Sequence, residues 1–369
     1  MTQARIAVDS GRHLRPHAAD AALLELETTR APHEMGASAS PSSSCNGLAI
    51  RQILVLLDGS PLADCALPYA VAVAKAFPAR ITLLRVLETG RGADSSRGVD
   101  LLEWEFARAE ASAHLNALAA DLESESVRAT VEIVQGKPAE QISHFTKNRQ
   151  VDLIVLASHG EGGAGSGHLG STAQKVIAAA DTSVLIVPAR EPQVGRILRV
   201  RFRSILVALD CSQRAECILP TAMQLARGHD ADLILAHVVS EPEVPRRMAA
   251  SEEDLELAHE LTERNRASAK RYLKEVQSRL SATGGHVEVR MRVSRQRTQT
   301  LCDLGDEEGV DLVVLSAHGS TGDANQHYGG VAARFLQESC KPVLIVQDLA
   351  STAHGSGPAG EAAREQPGH

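Results

Sequence analysis

The chain repeats itself, and that duplication constrains its fold more than any other feature. Leu57-Asp58-Gly59-Ser60, followed by Ala63, Cys65, Leu67-Pro68, Ala70 and Ala74, returns as Leu209-Asp210-Cys211-Ser212 with Ala215, Cys217, Leu219-Pro220, Ala222 and Ala226. The offset is 152 throughout, from Asp58 to Asp210. Val151-Asp152-Leu153-Ile154-Val155-Leu156-Ala157-Ser158-His159-Gly160 returns as Val310 to Gly319, and Val184-Leu185-Ile186-Val187 returns as Val343 to Val346, both at offset 159. Self-similarity over so long a period means one structural unit built twice. The expected boundaries are an N-terminal extension over 1–49, a first domain over 50–189, a linker over 190–201, a second domain over 202–348 and a tail over 349–369.

Within each unit, strands alternate with helices. In the first, Ile53 to Leu57 reads as a strand, and Leu62 to Phe77 as a helix that Pro68 should kink, since proline removes an intrahelical bond. Arg80 to Leu87 is a second strand, Leu101 to Glu123 a long helix, Val127 to Val134 a third strand and Ala139 to Asn148 a helix. The run from Val151 is a buried strand, Ala173 to Ala180 a helix, and Ser183 to Val187 a fifth strand. Such alternation implies an α/β fold whose parallel sheet is covered on both faces, with ligands at the carboxyl ends of the strands. Asp58, after strand one, and Gly160, after strand four, belong to that edge.

The loop from Gly160 to Thr172 has the chemistry of an anion site. Its glycines let backbone amides turn inward, and the first turn of the following helix presents unpaired N–H groups. Ser171 and Thr172 stand where a cap or a contacting hydroxyl would be useful. Two better-known glycine motifs do not fit. Gly165 to Gly170 matches GxGxxG, but too far from its strand, and the next strand ends in Pro188 rather than an acidic residue. Gly165 to Thr172 matches a P-loop without its lysine, which argues against a P-loop NTPase.

Composition excludes several classes. With 38 basic and 46 acidic residues the net charge is -8, with no sustained basic stripe, so nucleic acid is not an expected partner. No apolar run approaches the roughly 18 residues of a membrane span, and the N-terminus, interrupted by Arg5, Arg12 and Arg15, lacks a signal core, so a cytoplasmic location is expected. Six cysteines are scattered without a CxxC, which fits reduced thiols rather than disulfides or zinc. No spacing suggests a metal site.

On these residues each half resembles a universal stress protein domain. The family carries an aspartate after strand one, a hydroxyl residue two further on, and in its ATP-binding members G-x2-G-x9-G-(S/T). The first half has Ala157-Ser158-His159-Gly160, nine residues, then Gly170-Ser171. The second has Ser316-Ala317-His318-Gly319, nine residues, then Gly329-Gly330, with Asp323 in the loop. The resemblance implies two Rossmann-like, adenine nucleotide-binding-type domains, each a five-stranded parallel sheet with helices on both faces. It implies ATP or a related adenine nucleotide, with or without Mg²⁺, held by Asp58, the backbone of Val86, and Gly160, Gly170 and Ser171. The second-half counterparts are Asp210, Val238, Gly319 and Gly329. Helix capping is the alternative role for the two aspartates, with Ser60 and Ser212 competing for it.

No catalytic residue is assigned. Ser158 and His159 leave a strand in succession and should point to opposite sides, a poor geometry for a triad. His237 reads as an interior residue that Arg85 replaces in the first half, and Cys65 and Cys217 as core. The expected function is a regulatory or signalling module that binds nucleotide; a scaffold of the same fold with one or both sites empty, or a slow ATP hydrolase, are the alternatives. The missing hydroxyl and Asp323 make the second site the weaker expectation. The family's edge pairing through strand five further implies that the two halves form an intrachain pseudo-dimer through Val184 to Val187 and Val343 to Val346, with homo-oligomers and an unidentified protein partner open. The connection from Ala189 to Val200 can span about 40 Å when extended, enough for that pairing.

Overall fold

Short aliphatic, β-branched runs make strands because their side chains pack on a pleated surface, and ten of them join here into one sheet. The structure is a computed structural model that describes residues 49–88, 101–160, 169–189, 199–242, 251–320, 327–338 and 341–347. These belong to one compact unit, Cys45–His369. The extension over 1–49 (save residue 49), most of the linker over 190–201, the glycine loop over 161–168, Asp323 and the tail from 348 onward lie outside the described residues.

The first half runs β1 (Gln52–Leu56), α1 (Pro61–Asp64), α2 (Leu67–Ala76), β2 (Arg80–Leu87), α3 (Leu101–Ser124), β3 (Ala129–Gln135), α4 (Pro138–Arg149), β4 (Leu153–Ala157), α5 (Ser171–Ala179) and β5 (Ser183–Val187). The second runs β6 (Ser204–Ala208), a 3₁₀ turn (Ala215–Ile218), α6 (Leu219–His229), β7 (Asp232–Val239), α7 (Glu252–Ser281), β8 (Val287–Val293), α8 (Arg297–Glu307), β9 (Leu312–Ser316), α9 (Gly330–Glu338) and β10 (Val343–Val346).

One expectation is corrected. The single helix over Leu62–Phe77 is two, with a break at Cys65–Ala66. Pro68 does not kink a helix interior. It occupies the first turn of α2, where its missing N–H was never needed. Ser60 caps α1, its Oγ accepting from Ala63 N at 3.2 Å. The second half repeats the device with Pro220 in the first turn of α6.

The strand order is β3-β2-β1-β4-β5-β10-β9-β6-β7-β8. Each half contributes five parallel strands, and the order reverses direction between β1 and β4 and again between β6 and β9. The halves meet where β5 and β10 pair antiparallel, Val343 opposite Ile186, Leu344 opposite Leu185 and Ile345 opposite Val184. All nine named residues of these two strands are buried, so neither edge is left to template other chains.

Alternation along the strands feeds two cores. One face holds α2, α3, α6 and α7, with Leu185 and Leu344 beneath them. The other holds α4, α5, α8 and α9, with Ile186 and Ile345. On the first face the halves also touch through helices. A Cβ on Gly228 would lie 2.7 Å from that of Ala76, so glycine is what lets α6 approach α2. There Gln224 Nε2 donates to Ala76 O at 2.8 Å, and His229 Nε2 lies 3.0 Å from Ala72 O. Phe202, fully buried, packs edge-on to the His229 ring with centroids 4.8 Å apart.

Candidate functional site

The site grows from the points where β1 and β4, or β6 and β9, leave the sheet. In the first half Asp58 Oδ1 accepts from Ser60 N at 2.9 Å and Ser60 Oγ at 2.6 Å. In the second, Asp210 Oδ1 accepts from Ser212 N at 3.0 Å and Ser212 Oγ at 2.6 Å. The serine hydroxyls in turn cap the next segment, so the aspartates are not the caps; they orient the residues that are. Asp210 Oδ2 also accepts from Ser320 N at 2.5 Å, fastening the end of β6 to the loop after β9. Burial alone would raise the Asp210 carboxyl, but the hydrogen bonds from Ser212 and Ser320 outweigh it and hold the group below the usual carboxylate range.

Gly160 and Gly319 owe their lack of a side chain to these aspartates. A Cβ at Gly160 would stand 1.8 Å from Asp58 Oδ2, and one at Gly319 would stand 2.3 Å from Asp210 Oδ2. Gly170 and Gly329 serve another purpose. Gly170 N donates to Ser158 O at 2.8 Å and Gly329 N to Ala317 O at 2.7 Å, which closes the base of each loop and sets a helix start beside the strand end. Gly170 is the N-cap of α5, without a side-chain cap hydrogen bond, and Ser171 follows as its first, exposed residue. The first-turn amides of α5 therefore face outward without a side-chain partner, the arrangement that favours an anion.

Val86 and Val238 sit where a base could meet backbone. Leu57 N donates to Leu84 O, while Gly136 N donates to Leu87 O, so even-numbered positions of β2 address β1 and odd-numbered ones address β3. Val86 addresses the β1 side after β1 has left the sheet, which opens its amide and carbonyl. Leu209 N to Ala236 O and Ser294 N to Val239 O repeat the pattern for Val238.

In the second half these residues enclose a cleft of about 710 Å³, lined by Asp210, Val238, Gly319, Gly329 and Gly330. That is within the ~300–1,000 Å³ of small-ligand sites. The same cleft is lined by Asn265 and Ser268 of α7, by Arg295 and Arg297 around the start of α8, and by Arg334 of α9. None of these was singled out by sequence reasoning. Their one common signal is position, since Arg295 and Arg297 directly follow the carboxyl end of β8.

The halves differ beside the aspartate. Gly59 adopts φ +85, and a Cβ there would lie 2.6 Å from the Arg85 guanidinium. Cys211 occupies the same turn at φ 67, a left-handed conformation uncommon for a residue with a side chain. The smaller His237 replaces Arg85 and makes the room, with Cys211 Sγ 3.7 Å from His237 Nδ1. His237 Nδ1 lies 2.7 Å from Leu209 O, so that N–H is spent on the backbone. Burial, the largest influence, lowers the His237 pKa and favours neutral imidazole, while burial pushes the Cys211 thiol up to about 11. Neither is set up as a nucleophile.

A second correction concerns Ser158 and His159. They do meet, with Oγ 3.0 Å from Nδ1, because the chain turns as it leaves β4. The pair is still no triad. Ser158 Oγ accepts from Ala189 N at 2.8 Å, and His159 Nε2 is buried without a partner, so no carboxylate orients the imidazole. In the second half Ser316 Oγ donates to His318 O instead. Among the described residues no group of His, Cys, Asp and Glu could hold a metal ion, and no helix is long and apolar enough to cross a membrane.

Comparison with known proteins matches the same two stretches. A model described as the universal stress protein family fits residues 49–188 and again 201–347. A universal stress protein of Mycolicibacterium smegmatis is 26% identical over 302 residues, covering 80% of this chain and 96% of that protein. Universal stress protein MJ0577 of Methanocaldococcus jannaschii is 26% identical over 163 residues, covering 41% of this chain and 98% of its own. The crystal structure of a universal stress protein from Archaeoglobus fulgidus superposes with TM-score 0.57 at 19% identity, covering 81% of this chain and 98% of that one, a likeness of fold.

Proposed function

The chain belongs to the universal stress protein family, and from that premise we propose that it is a regulatory module whose state depends on a bound adenine nucleotide, ATP or a close relative. The observation that carries this reading is the second-half cleft, which gathers Asp210, Val238, Gly319 and Gly329 at the carboxyl ends of the strands. The first half has the same elements in the same order, with Asp58, Val86, Gly160, Gly170 and Ser171.

Each residue type suits one part of such a ligand. The Val86 and Val238 backbones offer an amide and a carbonyl, the pair that a purine edge requires. Asp58 and Asp210 present carboxylate oxygens, acceptors suited to ribose hydroxyls, and at Asp210 the Ser212 and Ser320 donors favour the ionised form. The first-turn amides at the starts of α5 and α9 favour phosphate oxygens. A Cβ at Gly170 would press on Ser158 O at 3.3 Å, while one at Gly329 would reach ordinary contact with Ala317 O at 3.5 Å.

The test is a calorimetric titration of the full chain with ATP, together with mass spectrometry of small molecules released when the purified protein is denatured. Micromolar binding, lost when Gly170 and Gly329 are both replaced by valine in a folded chain, is the expected result. A wild-type chain that neither carries nor binds any adenine nucleotide would overturn the proposal.

A further inference from the structure

The second-half cleft carries more positive charge than its surroundings explain. The chain as a whole has a net charge of -8. Yet the described residues that line the cleft include three arginines, Arg295, Arg297 and Arg334, and a single carboxylate, Asp210. That carboxylate is already engaged by the Ser212 and Ser320 donors. His237 does not account for this charge, since burial lowers its pKa and favours the neutral imidazole.

Two helix starts open into the same space. Gln296 caps α8 without a side-chain hydrogen bond, and Gln296, Arg297 and Thr298 all line the cleft. Gly329 and Gly330 bring the start of α9 to it. Unpaired amides and the positive end of a helix dipole each favour an anion, and here two such ends line a cleft that Arg297 and Arg334 also line.

We infer that this cleft selects ligands by their number of phosphates, with Arg297 and Arg334 as the residues that distinguish a triphosphate from a monophosphate. The base and ribose part of this ligand rests on the nucleotide reading above; the phosphate part rests on the arginines and the two helix starts. Arg295, also on the lining, is bridged to Glu241 at 3.0 Å. The first half is built differently. Pro138, with neither guanidinium nor N–H, begins α4 where Arg297 begins α8, the preceding Lys137 is paired with Glu140 at 3.1 Å, and Lys175 stands in place of Arg334. A guanidinium grips phosphate oxygens in a planar fork, whereas an ammonium acts as a point charge. The hydroxyl lost where Gly330 replaces the first half's Ser171 is thus offset by two forks.

The experiment titrates the full chain with ATP, AMP and inorganic triphosphate, as wild type and as Arg297→Gln, Arg334→Gln and the double variant, with Arg297→Lys as a charge-keeping control. Both arginines are exposed, so the variants should fold, as circular dichroism would verify. Each glutamine variant should weaken ATP about ten- to a hundredfold, the loss of one charge-assisted hydrogen-bonded partner, while AMP changes less and Arg297→Lys falls between. Inorganic triphosphate should compete with ATP in the wild type and not in the double variant. ATP binding that ignores both arginines would overturn this inference and leave the nucleotide reading standing. Arginine-dependent binding of triphosphate with which no adenine nucleotide competes would uphold the anion site and remove the nucleotide reading.

Discussion

Leu185 lies directly opposite Leu344 where the two halves of the chain join, and each is the other's counterpart in the repeat. The pair Ile186–Val343 maps in the repeat onto the pair Ile345–Val184, so a pseudo-twofold axis passes through the leucine pair. Both leucines are fully buried on the face covered by α2 and α6.

Shortening this contact should weaken the whole molecule rather than one half. Leu185→Ala is expected to cost about 2–5 kcal/mol, the range for a buried leucine that leaves a cavity. Ile186→Lys should do more, because it places an unpaired charge in the second core, on the β5 side of the seam. Denaturant unfolding followed by circular dichroism measures the first. Limited proteolysis, giving two separate resistant fragments for Ile186→Lys, measures the second. Intact, wild-type-like resistance in that variant would contradict the assigned pairing.

Gly160→Ala should displace Asp58, since the new Cβ would overlap Oδ2. The expected loss is about 1.5–3 kcal/mol, the value of hydrogen bonds to a charged group, with loss of nucleotide at the first site. Adding Asp58→Ala should recover part of the stability by removing the clash, but none of the binding. Thermal melts and calorimetry on the single and double variants separate the two effects.

The turn after β1 and the end of β2 should be coupled. Gly59→Cys alone forces a side chain into a left-handed turn and against Arg85, at a cost of about 1–2 kcal/mol for the backbone plus the collision. With Arg85→His added, the first half acquires the pair already present as Cys211 and His237, and the collision should disappear. A double-mutant cycle should return a coupling of about 0.5–3 kcal/mol; strict additivity would show that the two positions do not meet.

Acid should loosen the contact between α2 and α6. Burial is the main cause of a lowered pKa at His229, with Arg201 adding to it. The unfolded chain therefore binds a proton at this site in a pH range where the folded chain does not, and stability rises with pH there. The contribution is complete above about pH 6.5, the ordinary histidine value, and is lost as pH falls from there toward the lowered folded value. His237 acts in the same direction. His229→Gln, which can still donate to Ala72 O, should flatten the stability profile between pH 7 and 5 without abolishing its slope. An unchanged slope would remove His229 from the contact.

Much of this architecture was legible in the chain itself. The repeat located both β1–α turns and both β4 glycine loops, and the apolar β-branched composition of Val184–Val187 and Val343–Val346 pointed to their pairing. Two local readings failed for physical reasons. A proline marks a helix start as readily as a kink, and at Pro68 the missing N–H falls in a first turn. Strand alternation no longer governs side-chain direction once the strand has ended, so Ser158 and His159 meet. The arginines of the second cleft were hidden because Arg297 and Arg334 come from helices 37 positions apart, with no shared motif; only the fold brings them to one edge.

Because β5 and β10 run antiparallel, the carboxyl ends of the two sets of strands emerge on opposite edges of the sheet, and no single ligand reaches both. In a dimer of identical chains, every substitution at one edge is copied at the other. Here Ser171 and Gly330, Arg85 and His237, Gly59 and Cys211 have each been free to change alone. Covalent joining of the halves releases the two edges from that copying, so each edge can take residues the other does not share.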